Sequence, residues 1–104
     1  MELMNPSVTM SSLELVAFIN ASRQAGEAEL THAHFLQKVP NVLNGGEANF
    51  RSSYLSLQNK QLPCYHFPKR EACLMAMSYS YELQAKVFDR MTALEALQAP
   101  RFQV

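Results

Sequence analysis

Few side chains in this chain of 104 residues have types suited to chemistry: Cys64 and Cys73, His32, His34 and His66, and nine Lys plus Arg set against nine Asp plus Glu. Cys64, His66 and Cys73 are close enough in sequence to raise a metal site, with His32 or His34 as a fourth ligand. The spacing does not suit one. Structural zinc sites take their ligands in tight C-x2-4-C or H-x3-5-H pairs, whereas Cys64 and His66 alternate along a strand pattern and Cys73 falls inside an apolar helix. Both cysteines read as a strand residue and a small core hydrophobe, and no metal or other cofactor is expected. Covalent catalysis needs an activated Ser, Cys or Thr, and nucleotide chemistry a glycine-rich loop. Neither pattern occurs, and the chain has only three Gly. Glu27 and Glu29 stand in a polar connection, where a solvated loop is the simpler reading than acid-base work. No catalytic residue is assigned, and an enzyme is not expected.

What remains is recognition. His32, His34, Gln37 and Lys38 cluster at the start of a helical stripe. In a helix-turn-helix that part of the second helix enters the major groove, where Gln can bond adenine and Lys can reach guanine or phosphate. The same residues would also make an ordinary solvated face, and spacing alone leaves the two readings open. Arg51 and Lys60 fall on a hairpin, and Lys69 and Arg70 open a helix. All four can touch phosphates or simply solubilise the surface. Arg90 lies roughly 20° from Leu83 on the helical wheel, inside an apolar stripe, where a charge must be paired or snorkel. An intramolecular bridge to Glu71 is expected first, and a subunit or partner contact is the functional alternative.

The elements that position these residues follow from local signals. Ser11 and Glu14 form a capping box, with Met10 and Leu15 at the staple positions, and a first helix runs from Ser12 to about Gln24, ended by Gly26. Pro6 to Met10 reads as a short extended edge strand. Thr31 caps a second helix striped by Phe35, Leu36, Val39, Val42 and Leu43, with a kink or break expected at Pro40 and a stop at Asn44-Gly45-Gly46. The run from Phe50 to Phe67 reads as a β-hairpin turning near Asn59, and Pro63 places its strand at a sheet edge. Pro68 sits at the first position of a third helix, which Ala72 to Met77 make apolar almost all round, as a fully buried element would be. Ser78 to Ser80 lead into a fourth helix that reaches about Ala99 before Pro100. Its stripe is Leu83, Val87, Met91, Leu94 and Leu97, and Arg90, Met91, Leu94 and Leu97 are the candidate subunit interface, because the stripe exceeds what one small core covers.

Residues 1–104 suit one domain, and 48% apolar with 17% charged residues describe a globular chain. The fold expected is α+β, mainly helical: a helix-turn-helix with a β-hairpin wing, hence winged-helix-like, and a C-terminal helical hairpin. Two isolated cysteines point to a reducing cytoplasm. Neither a leader pattern nor an apolar run of roughly 18–20 residues is present, so no membrane role is expected. Zero net charge disfavours coating of nucleic acid, which relies on a basic excess.

One long stretch carries a resemblance. Ser52-Ser53-Tyr54-Leu55-Ser56, Gln58-Asn59-Lys60, Leu62-Pro63-Cys64-Tyr65, Pro68-Lys69-Arg70-Glu71-Ala72, Tyr79-Ser80-Tyr81-Glu82-Leu83 and Ala85-Lys86-Val87-Phe88-Asp89-Arg90 resemble the Rha family of phage regulatory proteins. Ser11-Ser12-Leu13-Glu14-Leu15 resembles its amino-terminal start, and residues 21–31 look like an insertion relative to shorter members. The resemblance implies a prophage-encoded regulator of winged-helix character in the bacterial cytoplasm, acting on transcription or as an antirepressor. The family's helix motif, Arg-His-Asp followed by aliphatics and an Arg-Asp pair, is kept at His32, Leu36 and Val39. It is replaced at Thr31, Ala33, Gln37 and Lys38.

Two functions are expected from this reading. In the first, the protein binds a phage repressor and keeps it from its operator. Neutral charge, four Tyr and six Met suit a protein-binding surface. In the second, it binds operator DNA as a winged helix. The loss of the charged positions in the helix motif ranks the repressor first, and a homodimer is expected under either.

Overall fold

Ser11 ends a strand and caps a helix at once, so the chain changes direction within one residue. Its hydroxyl accepts the Glu14 N–H and the Glu14 carboxylate accepts the Ser11 N–H, both at 3.0 Å, which is the expected capping box. The computed structural model describes residues 8–98. Strand β1 (Thr9–Ser11) leads into helix α1 (Ser12–Ser22), followed by α2 (His32–Leu43), a 3₁₀ segment (Gly46–Phe50), strands β2 (Arg51–Leu55) and β3 (Gln61–Pro68), then α3 (Lys69–Met77) and α4 (Tyr81–Gln98). The fold is α+β, with four helices and one three-stranded antiparallel sheet of order β1-β3-β2. Helix, helix, hairpin, helix, helix is the order expected, and the extended segment before α1 is a sheet edge as expected, although Pro6 lies outside the described residues.

The core forms where α1, α2, β3, α3 and α4 converge. Leu15, Phe35, Val39, Phe67, Met75, Val87 and Met91 are fully buried there, and Met10 joins Leu15 as the staple requires. Phe35 meets Phe67 edge-on and stacks on Tyr79, with ring centroids 6.3 Å apart in both cases. These contacts fix α2 between the sheet and the α3–α4 corner.

Several expectations are corrected by packing. Helix α1 ends at Ser22, because Arg23 takes an extended backbone and its N–H bonds Asn20 O. Gly26 instead serves a turn within the connection, at φ +92°. Helix α2 is continuous through Pro40, without the expected break. Pro40 is exposed in the last turn, where the Leu36 carbonyl it deprives of a donor can turn to water, and Asn44 closes the helix in the left-handed region at φ +54°. Pro63 sits on the central strand, not an edge. It is tolerated because β1 pairs only Ser11, Met10 and Thr9 with His66, Phe67 and Pro68, leaving that side of β3 open at residue 63. Pro68 is the N-cap of α3, one residue earlier than expected, and α3 is not buried all round: Met77 is 39% exposed and Leu74 half-buried. The hairpin turn forms as read, with Asn59 at φ +62° and the Ser56 hydroxyl accepting the Gln58 and Lys60 N–H groups.

In α4 the stripe is covered only in part. Leu83, Val87 and Met91 are buried, Leu94 is half-buried and Leu97 is 72% exposed. The cause is length: α3 has nine residues against eighteen in α4, so at 1.5 Å per residue it covers only about 13 Å of its partner's 27 Å. Ala99 and Pro100 lie outside the described residues.

One hydroxyl joins three elements. Ser12 is fully buried, accepts the Tyr65 N–H of β3 at 3.0 Å and lies 2.8 Å from His32 Nε2 of α2. Replacing it with Ala leaves both partners unsatisfied. Ser12→Ala is expected to lower the unfolding free energy by about 1–3 kcal/mol, read from the midpoint of urea denaturation at unchanged slope.

Candidate recognition surface

The sequence-selected residues of α2 divide into two groups. His32 is half-buried under Tyr54, whose ring stands edge-on with centroids 6.0 Å apart. Ser12 Oγ accepts the Tyr65 N–H and also bonds His32 Nε2, donating to it when the neutral ring carries its proton on Nδ1 and accepting with its second lone pair when Nε2 is protonated. Burial pushes the His32 pKa down and so favours the neutral ring. Lys38 is also turned inward: its ammonium lies 3.5 Å from the Tyr79 ring centroid and donates to Ser78 O at 3.2 Å. It thereby serves the carboxyl end of α3, where a cation is favoured, and burial lowers its pKa. His34 and Gln37 are exposed. These two, without His32 and Lys38, form the open face of α2.

The other basic positions show the same division. Lys69 reaches across to α4, bonding Glu95 at 3.0 Å and Thr92 Oγ1 at 2.8 Å, with its ammonium 4.1 Å from the Phe88 ring centroid. Arg70 pairs with Glu71 at 2.7 Å. Arg51 and Lys60 on the hairpin are exposed and form no ion pair among the described residues.

Arg90 does not bridge to Glu71. Glu71 lines a recess beside Val42 and Leu43 of α2, whereas Arg90 is exposed and borders a different groove, against Glu14, Ala17 and Phe18 of α1. Met91 is fully buried and is therefore no part of a surface; of the expected interface, Arg90, Leu97 and the half-buried Leu94 remain accessible.

Beside the open face of α2 lies a cleft of about 540 Å³ lined by Arg23, Glu27, Leu30, His34, Tyr79 and Lys86, among others. Its wall is the α1–α2 connection, which a clamp holds in shape: the Asn20 side chain donates to Leu30 O at 2.9 Å and accepts the Leu30 N–H at 2.8 Å. Arg23 donates to Glu27 O at 2.8 Å across the same loop. The cleft was not legible in the sequence, since the polar run from Gln24 to Leu30 carries no periodicity. Ser12 was missed for a related reason, because its partners lie 20 and 53 residues away.

Cys64 and Cys73 are buried free thiols whose pKa values burial pushes up. Among the described residues no group of three His, Cys, Asp or Glu side chains could hold a metal ion, and no helix is long and apolar enough to cross a membrane. Comparison with known protein families, curated proteins and solved structures finds no match.

The neutral His32 makes stability depend on pH. With the folded pKa below the ordinary value near 6.5, the unfolded chain binds the proton more readily, so the contribution is complete above about pH 6.5 and is lost as pH falls below it. The wild type should lose unfolding free energy between pH 7.5 and 5.5, and His32→Gln, which keeps a neutral hydrogen-bonding side chain, should flatten that slope. Denaturant titrations at the two pH values measure it.

Proposed function

We propose that this chain is a non-catalytic regulatory module that binds another protein through the open face of α2 and the adjoining cleft. The observation that carries the reading is the use of cations inside the fold. Lys38, Lys69 and Arg70 each meet an acceptor or a carboxylate of the same chain, so three of the five basic groups that the sequence offers for phosphate contact are already engaged. Of the residues singled out on α2, those that face outward are His34 and Gln37, hydrogen-bonding side chains beside a concave surface of mixed polarity, which suits a protein surface. Under the resemblance to the Rha family, the partner is a phage repressor, which the bound module would hold away from its operator in the bacterial cytoplasm.

The finer description of the fold belongs to the same proposal: α1 and α2 as a helix-turn-helix and the β2–β3 hairpin as its wing. The connection between the helices, residues 23–31, is longer than the usual turn of about 3–4 residues. A second reading, direct binding of operator DNA, is favoured by Arg51 and Lys60, exposed on the hairpin and outside any ion pair among the described residues.

The test takes the purified protein, the repressor encoded beside it and their shared promoter DNA, and measures each pairwise affinity at several salt concentrations. Repressor binding that falls at least tenfold in His34→Glu and Gln37→Glu, a loss of about 1.4 kcal/mol, is the expected result. Nanomolar, steeply salt-dependent binding to the promoter without the repressor would overturn the preferred reading in favour of the second.

A further inference from the structure

The sheet has an edge that nothing in the described fold covers, and its hydrogen-bonding pattern can be worked out residue by residue. In an antiparallel ladder, opposed pairs alternate between those that exchange hydrogen bonds and those whose backbone groups point outward. The Tyr65 N–H points away from β2, to Ser12 Oγ, so the pair Arg51–Tyr65 is of the outward kind. By alternation Ser53–Pro63 and Leu55–Gln61 are outward too, which agrees with a proline that has no N–H to give β2. Ser52 and Tyr54 therefore spend their backbone groups on β3, while Arg51, Ser53 and Leu55 turn theirs to the open side.

One of those groups is already satisfied, because the Arg51 N–H bonds Ala48 O at the end of the 3₁₀ segment. The open edge thus presents the Arg51 C=O and both backbone groups of Ser53 and of Leu55. Except for the Leu55 C=O, whose counterpart would be the engaged Arg51 N–H, this set is complementary to itself. Turned about a two-fold axis at Ser53, the strand meets a copy of itself in which the two Ser53 residues exchange N–H and C=O, and each Leu55 N–H meets the Arg51 C=O of the other strand. We propose that β2 pairs in this way with β2 of a second copy of this chain, joining the two sheets into one.

Two further observations favour that occupant. The other open edges are closed to pairing: β1 is three residues long and the uncovered half of β3 carries Pro63, both ordinary ways of blunting an edge. Strand β2, Arg-Ser-Ser-Tyr-Leu, has neither Pro nor Lys, and Arg51, Ser52, Ser53 and Leu55 are exposed along it. The two-fold also separates like charges, since each Arg51 lies beside Leu55 of the other copy and not beside its own equivalent. One five-residue strand on each side makes a small contact, so the pairing is expected only at high micromolar concentration. It leaves α2 free and goes beyond the function proposed above without relying on it.

Sedimentation velocity and disulfide trapping test the pairing. The wild type should sediment as a dimer at high micromolar concentration. Ser53→Pro, which removes the central donor on a side of the strand where proline is tolerated, should be monomeric with an unchanged circular dichroism spectrum. Ser53→Cys should oxidise to a covalent dimer, because hydrogen-bonded antiparallel partners stand with Cα atoms about 5.5 Å apart, within disulfide reach. Leu55→Cys, on the same face but four residues from its equivalent, should not. A wild type that stays monomeric, a dimer that persists in folded Ser53→Pro, or cross-linking at residue 55 as fast as at residue 53 would each overturn the proposal. Should Ser53→Pro fail to fold, the comparison of the two cysteine variants decides alone.

Discussion

Ser12 Oγ has no exposure to solvent, and its two partners come from β3 and α2, so the placement of three elements converges on one oxygen. A hydroxyl can serve this way because it accepts and donates at once. The Tyr65 N–H would otherwise be an unpaired donor at the end of β1, where the sheet has already stopped pairing. Ser12 supplies the missing acceptor from the first turn of α1. The same oxygen bonds His32 Nε2 on the other side and so ties down the start of α2. The open face of α2 is therefore positioned by a contact that faces the opposite direction.

That arrangement explains why the candidate surface is narrower than its sequence. His32 and Lys38 flank the exposed pair but both are turned inward, one to the sheet and one to the carboxyl end of α3. The ammonium of Lys38 closes over Tyr79, which stacks on Phe35, so the charge sits at the rim of the core and not in a solvent-facing patch. Zero net charge in the sequence has its counterpart in local pairing around α2 and α3. Lys69 and Arg70 enter ion pairs, whereas Arg51 and Lys60 on the hairpin and Arg90 on α4 are exposed and enter none among the described residues.

Signals that act over one turn of chain were legible in the sequence. The capping box at Ser11 and Glu14, the cap at Thr31, the stop at Asn44 and the turn at Asn59 all depend on neighbours within a few residues, and each formed close to where it was read. Readings that depended on which neighbour covers a residue were less secure. Pro63 was taken as an edge signal, but edge character belongs to a stretch of strand and one side of it, not to a whole strand. Arg90 fell within the apolar stripe by angle, yet a wheel does not say how far along the helix its partners extend. The Ser12 network and the cleft had no local signal at all, because they are assembled from segments distant in the chain.

The same argument separates the two ends of α4. Its buried residues, Leu83, Val87 and Met91, recur at four-residue spacing along the length that α3 spans, and Lys69 marks the limit by bonding Thr92 and Glu95. Beyond that point the stripe continues in sequence but its cover does not. An apolar stripe longer than its neighbour does not by itself define a subunit interface, since Leu94 and Leu97 alone offer little area and Met91 is already sealed. The sheet edge differs in kind. Backbone donors and acceptors left unmatched along β2 are directional and fix both register and partner orientation, so they specify a contact more tightly than two exposed leucines at the end of a helix.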